Sequence, residues 1–556
     1  MNRAQRRAEL RHHGKRRAVA LGSAAVLASA GGGAALVLAS SAPAGANAPI
    51  VVDSLTDDGT GTTLRDAIDQ ANSVGGQDTI TFSVTGTITL TSDLPNIDEG
   101  TLIQGPGADQ LTVDGDDSFQ IFNFFGISTA EYDSSVSGLT LTGGHTGVAG
   151  GAIVKAYSNG NLAISDCVIT GNSTDGPGGG IALYDTRGDI TITDTVVSDN
   201  ESGSGGGGLA ASDNDPGHEM HVTVTGSSFT GNHADTIGGG IWAQHGVIDV
   251  SDTTVSVNDA ASFGGGLALY DVEATFTGVT IDGNESGTSV GGGLQASSAT
   301  VSIVDSSISD NVASRGGGGL YLGGSTLTVS GSTIAGNEAG FYGGGLYVDA
   351  FAIATTIVNS TISSNTARNA GGVNGGVGVG LVITQSTVTG NIATAPSAGS
   401  AVGGIKIGAV VVAVDGPPAG TLVATGAIVA GNGGLDVGSV TGTLATVDST
   451  ASVIGLVDDV GVTVVDGGRT QRGVTAEALH LGPLADNGGP TLTHALLPGS
   501  VAIDAGPVPP ATFTGDTWDQ RGEGFPRVVA GRVDAGAFEV QPAVEPEPTP
   551  EPTFTG

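Results

Sequence analysis

A run of glycines followed by Ile or Leu recurs through the middle of this chain, and in copy after copy a turn Asn stands nine residues ahead of that apolar residue. The pairs are Asn172 with Ile181, Asn200 with Leu209, Asn232 with Ile241, Asn258 with Leu267, Asn311 with Leu320 and Asn337 with Leu346, while Asn284 and Leu294 slip by one. Successive copies lie 26 to 32 residues apart, and a repeat of that length marks a solenoid. Each copy holds three short stretches of alternating residues. Between Gly317 and Gly340, Leu320 and Leu322, then Leu327 and Val329, then Ile334 form one set, with Tyr321, Thr326, Thr328 and Ser332 or Thr333 on the opposite side. Alternation with β-branched residues means strands with one face inward and one outward. The spacing therefore predicts an all-β, right-handed parallel β-helix with three strands per coil.

Stacked coils account for the composition. A column of turn Asn residues can bond backbone amides coil after coil, and Asn tolerates left-handed backbone. The structural turn ladder is read as Asn172, Asn200, Asn232, Asn258, Asn284, Asn311 and Asn337. The glycine run reads as a sharp corner. A phosphate-cradling loop would need a helix after the glycines and a following Lys-Ser/Thr, and neither appears. The formal net charge of −37 repels polyanions, which excludes nucleic acid as a partner. A solenoid grows along one axis through neighbour contacts, so 556 residues need not split into globular units. A monomer is expected.

The first residues differ from the rest. Arg3, Arg6, Arg7, Arg11, Lys15, Arg16 and Arg17 precede an Ala/Val/Leu/Gly stretch from Ala18 to Leu38, the pattern of a secretory signal. Two small-x-small sites compete, Ala44-Gly45-Ala46 and Ala46-Asn47-Ala48, and Pro49 favours cleavage after Ala46. The apolar stretch is also just long enough for an uncleaved anchor. No later apolar run would span a membrane, and an extracellular or cell-surface location is expected. Cys167 is the single cysteine; it cannot form an internal disulfide and reads as a buried small hydrophobe. The organisation expected is a signal peptide at 1–46, a cap with first strands at 47–100, β-helix repeats at 101–440, a distinct C-terminal region at 441–540 and an extended Pro/Glu-rich tail at 541–556.

From Ile50 to Phe82 the chain reads IVVDSLTDDGTGTTLRDAIDQANSVGGQDTITF. This resembles the bacterial CSLREA domain, with Leu64, Arg65, Asp66, Ala67 and Ile68 in the matching places and Thr62 and Thr63 replacing Cys-Ser. Leu64, Ile68 and Ala71 lie at helical spacing, so a short helix there can close the open end of the first coil. LGPLADNGGPTLTHALLPGSVAIDAG from Leu481, DQRG from Asp519 and GRVDAGAFE ending at Glu539 resemble the choice-of-anchor Q domain. That resemblance implies the C-terminal unit of a secreted, surface-associated β-helix protein. The coils between are similar to the pectin-lyase-like superfamily at the level of fold.

Polysaccharide lyases and hydrolases on such folds need clustered carboxylates with Arg, Lys or His. Between Leu111 and Val440 the only cations are Lys155, Arg187, Arg315, Arg368 and Lys406, scattered along the axis. One coil swells, with SDNDPGHEMH from Ser212 to His221 inserted. Asp213, Asp215, His218, Glu219 and His221 are catalytic or metal candidates because His and carboxylate at close spacing are the usual ingredients, although their spacing matches no zinc signature and a solvated loop is the plainer reading. A second candidate surface is aromatic: Trp242, Tyr321 and Tyr347 share one outward slot, with Tyr184 and Tyr270 two residues further on. Rings on a flat sheet suit stacking on sugars, or simply pack on one another up the ladder. No cofactor is implied, and isolated turn carboxylates at Asp166, Asp194, Asp252 and Asp305 would support weak calcium binding at most. The reading is a secreted or cell-surface binding or structural protein directed at polysaccharide or cell envelope. The alternative is a lyase or glycoside hydrolase acting on acidic glycans.

Overall fold

The computed structural model describes residues 47–542 except 59–60, 74–75, 98–99, 126–132, 215–219, 351, 378, 395–401, 409–420, 440–444, 459–460 and 508–516. The chain winds as a right-handed parallel β-helix, an all-β solenoid with few helices. One coil comprises Leu320–Gly323, Thr326–Ser330 and Thr333–Ala335, the three expected strands. A fourth strand of two residues, Glu338–Ala339, follows the turn Asn. Each pairs in parallel with its counterpart one coil on, so Leu320 meets Leu346, Thr326 meets Ala354, Thr333 meets Thr361 and Glu338 meets Thr366. We call these the first to fourth faces. In Ile241–Ser251 and Leu267–Thr277 the first two faces are one bent strand, with the bend at left-handed His245 and Asp271.

Equivalent apolar side chains stack inward, Ile181, Leu209, Ile241, Leu267, Leu294, Leu320 and Leu346 all being fully buried. The glycine run is forced by geometry. Gly317 has φ +63°, and a Cβ on Gly318 would lie 2.5 Å from the carbonyl oxygens of Glu338 and Gly344, closer than any side chain can approach.

The turn Asn residues form a continuous buried ladder. Asn284 Oδ1 accepts from both the backbone N–H and Nδ2 of Asn258 at 3.0 Å. Asn284 Nδ2 in turn donates to Val255 O and to Asn311 Oδ1, each at 2.9 Å. The pattern runs from Gly144 N–H, which donates to Asn172, through Asn365, Asn391 and Asn432 to Asp436, whose Oδ1 accepts from Asn432. A second ladder, of hydroxyls, lies between the second and third faces: Thr195 N–H donates to Ser227, Ser227 N–H to Thr253, and Ser306 N–H to Ser332. Cys167 stands in this column, its amide donating to Thr195 Oγ1. It is 1% exposed, and burial pushes its thiol up to about 11.

The turn carboxylates Asp166, Asp194, Asp252 and Asp305 share one slot with Gly226, Gly278 and Gly331, all with φ between 48° and 65°. Asp and Gly are the residues that accept left-handed backbone most readily, so backbone conformation explains this column without a cation.

At the N-terminal end the helix Leu64–Ser73 buries Leu64, Ala67, Ile68 and Ala71 in the main core. Asp66 completes a reciprocal cap: Thr63 N–H donates to Asp66 Oδ2 at 3.1 Å and Asp66 N–H to Thr63 Oγ1 at 3.2 Å, a capping box with Asp in place of Glu. Arg65 makes a bidentate pair with Asp57 and donates to the carbonyls of Ser92 and Asp93, so the helix is fastened to the strands it covers.

The C-terminal region returns along the outside of the third face. After the helix Ala476–Leu479 and the antiparallel pair Leu481–Ala485 with Thr493–Leu496, irregular segments lie on several coils in succession. Thr491 Oγ1 donates to Gly331 O, Gln520 bonds Thr333 and Thr361, His494 Nε2 meets Ser363, and Ala537 N–H donates to Thr387. Thr333 faces outward as expected, yet it is only 1% exposed because this return covers it, whereas Ser332 belongs to the buried hydroxyl ladder. Within it Arg521 forks onto Asp519 and lies between the rings of Phe525 and Phe538, at 4.0 and 3.8 Å. Arg527 is fully buried and donates to Asn359, Gly536 O and Ala537 O.

Candidate functional site

On the first face the outward column runs Ala182, Ala210, Trp242, Ala268, Gln295, Tyr321, Tyr347, Asn374 and Lys406. The structure brings Tyr321 and Tyr347 together, with ring centroids 5.4 Å apart and edge to face. Trp242 shares their slot but lies three coils away, about 14 Å along the axis at ~4.8 Å per coil. Its ring leans over Gly205, whose absent Cβ would sit 3.1 Å from it. Trp242 Nε1 is buried and has no hydrogen-bond partner among the described residues. Tyr184 and Tyr270 occupy the next outward column, separated by Ser212 and Gln244. Burial raises the phenol of Tyr184, with Tyr157 adding to it, and lifts that of Tyr270 to about 12. Of the five aromatics selected from sequence, only Tyr321 and Tyr347 therefore form one surface.

Two rings overlooked in the sequence extend that surface around the glycine corner. Tyr342 lies 5.5 Å from Tyr347, and Phe341 lies 6.2 Å from Tyr342. Phe341 and Tyr342 are 42% and 39% exposed, which makes them the accessible part of the cluster. Aligning the copies on their glycines would have shown the signal: Tyr342 pairs through Gly316, and Ile237 and Phe263 occupy the same corner column. Gly316 makes room for the cluster, since a Cβ there would lie 2.6 Å from the Tyr347 ring.

Polar groups border the rings. Tyr321 hydroxyl donates to Asp349 Oδ2 at 3.0 Å. Burial first, and the Asp349 carboxylate second, raise the phenols of Tyr321 and Tyr347, the latter to about 12. Arg368 lies 5.5 Å over the Phe341 ring, a cation–π contact. Arg315 is exposed one coil before Phe341, as the bond from Phe341 N–H to Arg315 O places it. Two of the five cations of the coils thus flank one aromatic ridge, on a chain of net charge −37.

The swollen coil is different. Asp215, His218 and Glu219 lie outside the described residues. Asp213 is 2% exposed, and its carbonyl accepts from His245 Nδ1 at 2.6 Å. His221, at the far end of the insertion, meets Asp249 at 3.0 Å and Asp189 at 4.0 Å. Asp213 and His221 therefore each have separate structural partners. Among the described residues no group of three or more His, Cys, Asp or Glu is arranged to hold a metal ion. Among the described residues, too, no helix is long and apolar enough to cross a membrane.

A family model described as "Right handed beta helix region" matches residues 244–409. The chain is structurally similar to pectate lyase Pel9A, at 11% identity and TM-score 0.32, over 89% of this chain and 97% of that one. It is similar also to the A-module of mannuronan C-5 epimerase AlgE4 from Azotobacter vinelandii, at 12% identity and TM-score 0.26, over 74% and 92%. A third likeness is to a mannuronic acid specific polysaccharide family 6 lyase from human gut microbiota, at 6% identity and TM-score 0.22, over 76% and 91%. No curated protein matches the chain. Likenesses this low in identity and TM-score carry no argument about activity.

Proposed function

We propose that this protein is a carbohydrate-binding β-helix of the cell surface or its surroundings, with the ridge of Tyr321, Phe341, Tyr342 and Tyr347 as its contact surface. The observation that carries this reading is a run of touching rings of which two are about 40% exposed, bordered by Arg315, Arg368 and Asp349. Ring faces bury the apolar side of a pyranose, while the flanking guanidinium and carboxylate groups bond hydroxyls or an acidic substituent. A flat parallel sheet suits a polymer, because each coil presents the same slot ~4.8 Å further along.

The test is titration of the full chain and of Phe341→Ala, Tyr342→Ala and Arg315→Ala variants against a panel of neutral and acidic polysaccharides. Each ring removal is expected to weaken binding by about threefold to tenfold, the worth of one aromatic contact. Absence of binding to every polymer, or affinities unchanged by all three substitutions, would remove this reading. Release of new sugar ends in the same incubations would instead support the lyase or hydrolase alternative.

A further inference from the structure

We propose that Ser158 and Lys155 form a serine–lysine nucleophile pair that cleaves small acyl esters, at a site separate from the aromatic ridge. Lys155 stands in an inward slot of the first face, in a column with Phe124 below and Leu183 and Ala211 above. It is 1% exposed. An ammonium among apolar residues is costly unless it is paired. Among the described residues its hydrogen-bond partner is Ser158 Oγ, at 2.8 Å. Burial lowers the amine to about 8, with the Asp133 carboxylate acting the other way through space. At pH 7 about a tenth of the amine is then unprotonated, rising to half near pH 8, with its lone pair within reach of a hydroxyl.

Ser158 itself is half-buried and reachable. It follows Tyr157, a bulky residue at φ +53°, where the backbone is strained. The turn is fixed because Ser158 O accepts from Arg187 N–H at 2.9 Å and from Thr186 Oγ1 at 3.1 Å. Beside it Phe125 and Tyr157, 42% and 54% exposed, stand edge to face at 5.8 Å and offer an apolar shelf for an acyl group. A nucleophile and a base within hydrogen-bond reach, the base desolvated and the nucleophile on a rigid turn, meet the nucleophile–base condition for covalent catalysis.

The reaction balances without a further reagent. Lys155 Nζ takes the Ser158 hydroxyl proton as Oγ bonds to the ester carbonyl carbon. The carbon–alkoxy bond then breaks, and Lys155 returns the proton to the departing alcohol. Water attacks the acyl-serine, Lys155 accepts its proton and gives it to Ser158 Oγ, and the acid is released.

The experiment treats the full chain with a fluorophosphonate probe, maps the adduct by peptide mass spectrometry, and repeats it with Ser158→Ala and Lys155→Met. Methionine suits the apolar column, and circular dichroism of each variant checks the fold. The expected result is an adduct on Ser158 whose rate rises with pH through about 8, none in Ser158→Ala, and at least a hundredfold slower labelling in a folded Lys155→Met, the usual worth of a general base. Should Lys155→Met not fold, the pH profile of the unaltered chain decides. No adduct at Ser158, labelling indifferent to Lys155→Met, or a rate flat between pH 6 and about 9 would overturn the proposal.

Discussion

A single Asn of the ladder satisfies four bonds at once, and this sets what its loss costs. Asn284 accepts two from Asn258 and donates to Val255 O and Asn311 Oδ1. Asn284→Leu would remove the acceptor of the Asn258 backbone N–H and of one Nδ2 hydrogen, and one donor to Val255 O, while Asn311 Oδ1 keeps the Asn284 backbone N–H; each buried group left unpaired costs about 1–3 kcal/mol. A destabilisation of about 3 kcal/mol or more is expected in chemical denaturation. Asp252→Gly is expected to change stability by less than about 1 kcal/mol, since neighbouring coils already carry Gly in that left-handed slot. Equal losses from the two substitutions would contradict the distinction between ladder and turn. Cys167 offers a third residue-level test. Buried at 1% exposure with its thiol raised to about 11, it is expected to stay unmodified by a charged thiol reagent at neutral pH until the protein unfolds.

The C-terminal return is the element whose contribution depends on pH. Glu539 is 2% exposed, and burial, with the nearby carboxylates of Asp534 and Asp519 adding to it, raises its carboxyl from 4.5 to about 8 despite Arg527. The folded state then binds a proton that the unfolded state has released between these values. Its contribution is present in full below about 4.5 and is lost as pH rises toward 8. Glu539→Gln, which keeps an acceptor for Asp534 N–H, is expected to flatten this decline in denaturation midpoints measured from pH 5 to about 8. The same element shows why part of the architecture was hidden. Strands and Asn ladder were legible because their residues recur at a fixed period. The return has no period, and Thr333, Thr361 and Thr387 look like ordinary outward hydroxyls until Gln520 and Ala537 are laid upon them. The separated motifs were visible, but their physical role as a clamp was not. Phe341 and Tyr342 escaped for another reason: the corner column of Tyr342 holds residues as different as Gly205, Ile237, Phe263 and Gly316, so it carries no repeating signal.

At the scale of the molecule, a net charge of −37 on a stack of coils spaced ~4.8 Å apart means that the fold works against its own repulsion. Screening should relieve it, so the melting temperature is expected to rise between low salt and about 0.5 M sodium chloride, where the Debye length is only a few ångströms. A fall would mean that ion pairs such as Arg65 with Asp57 outweigh the repulsion. The return along the third face also decides how the stack bears force. A pull applied beyond Gln541 does not reach the last coil first. It arrives through Gln520, Arg527 and Ala537 at Thr333, Asn359, Thr361 and Thr387, well inside the solenoid. The load is shared in shear across several coils, so a protein held by this end resists tension as a riveted column rather than unzipping one turn at a time.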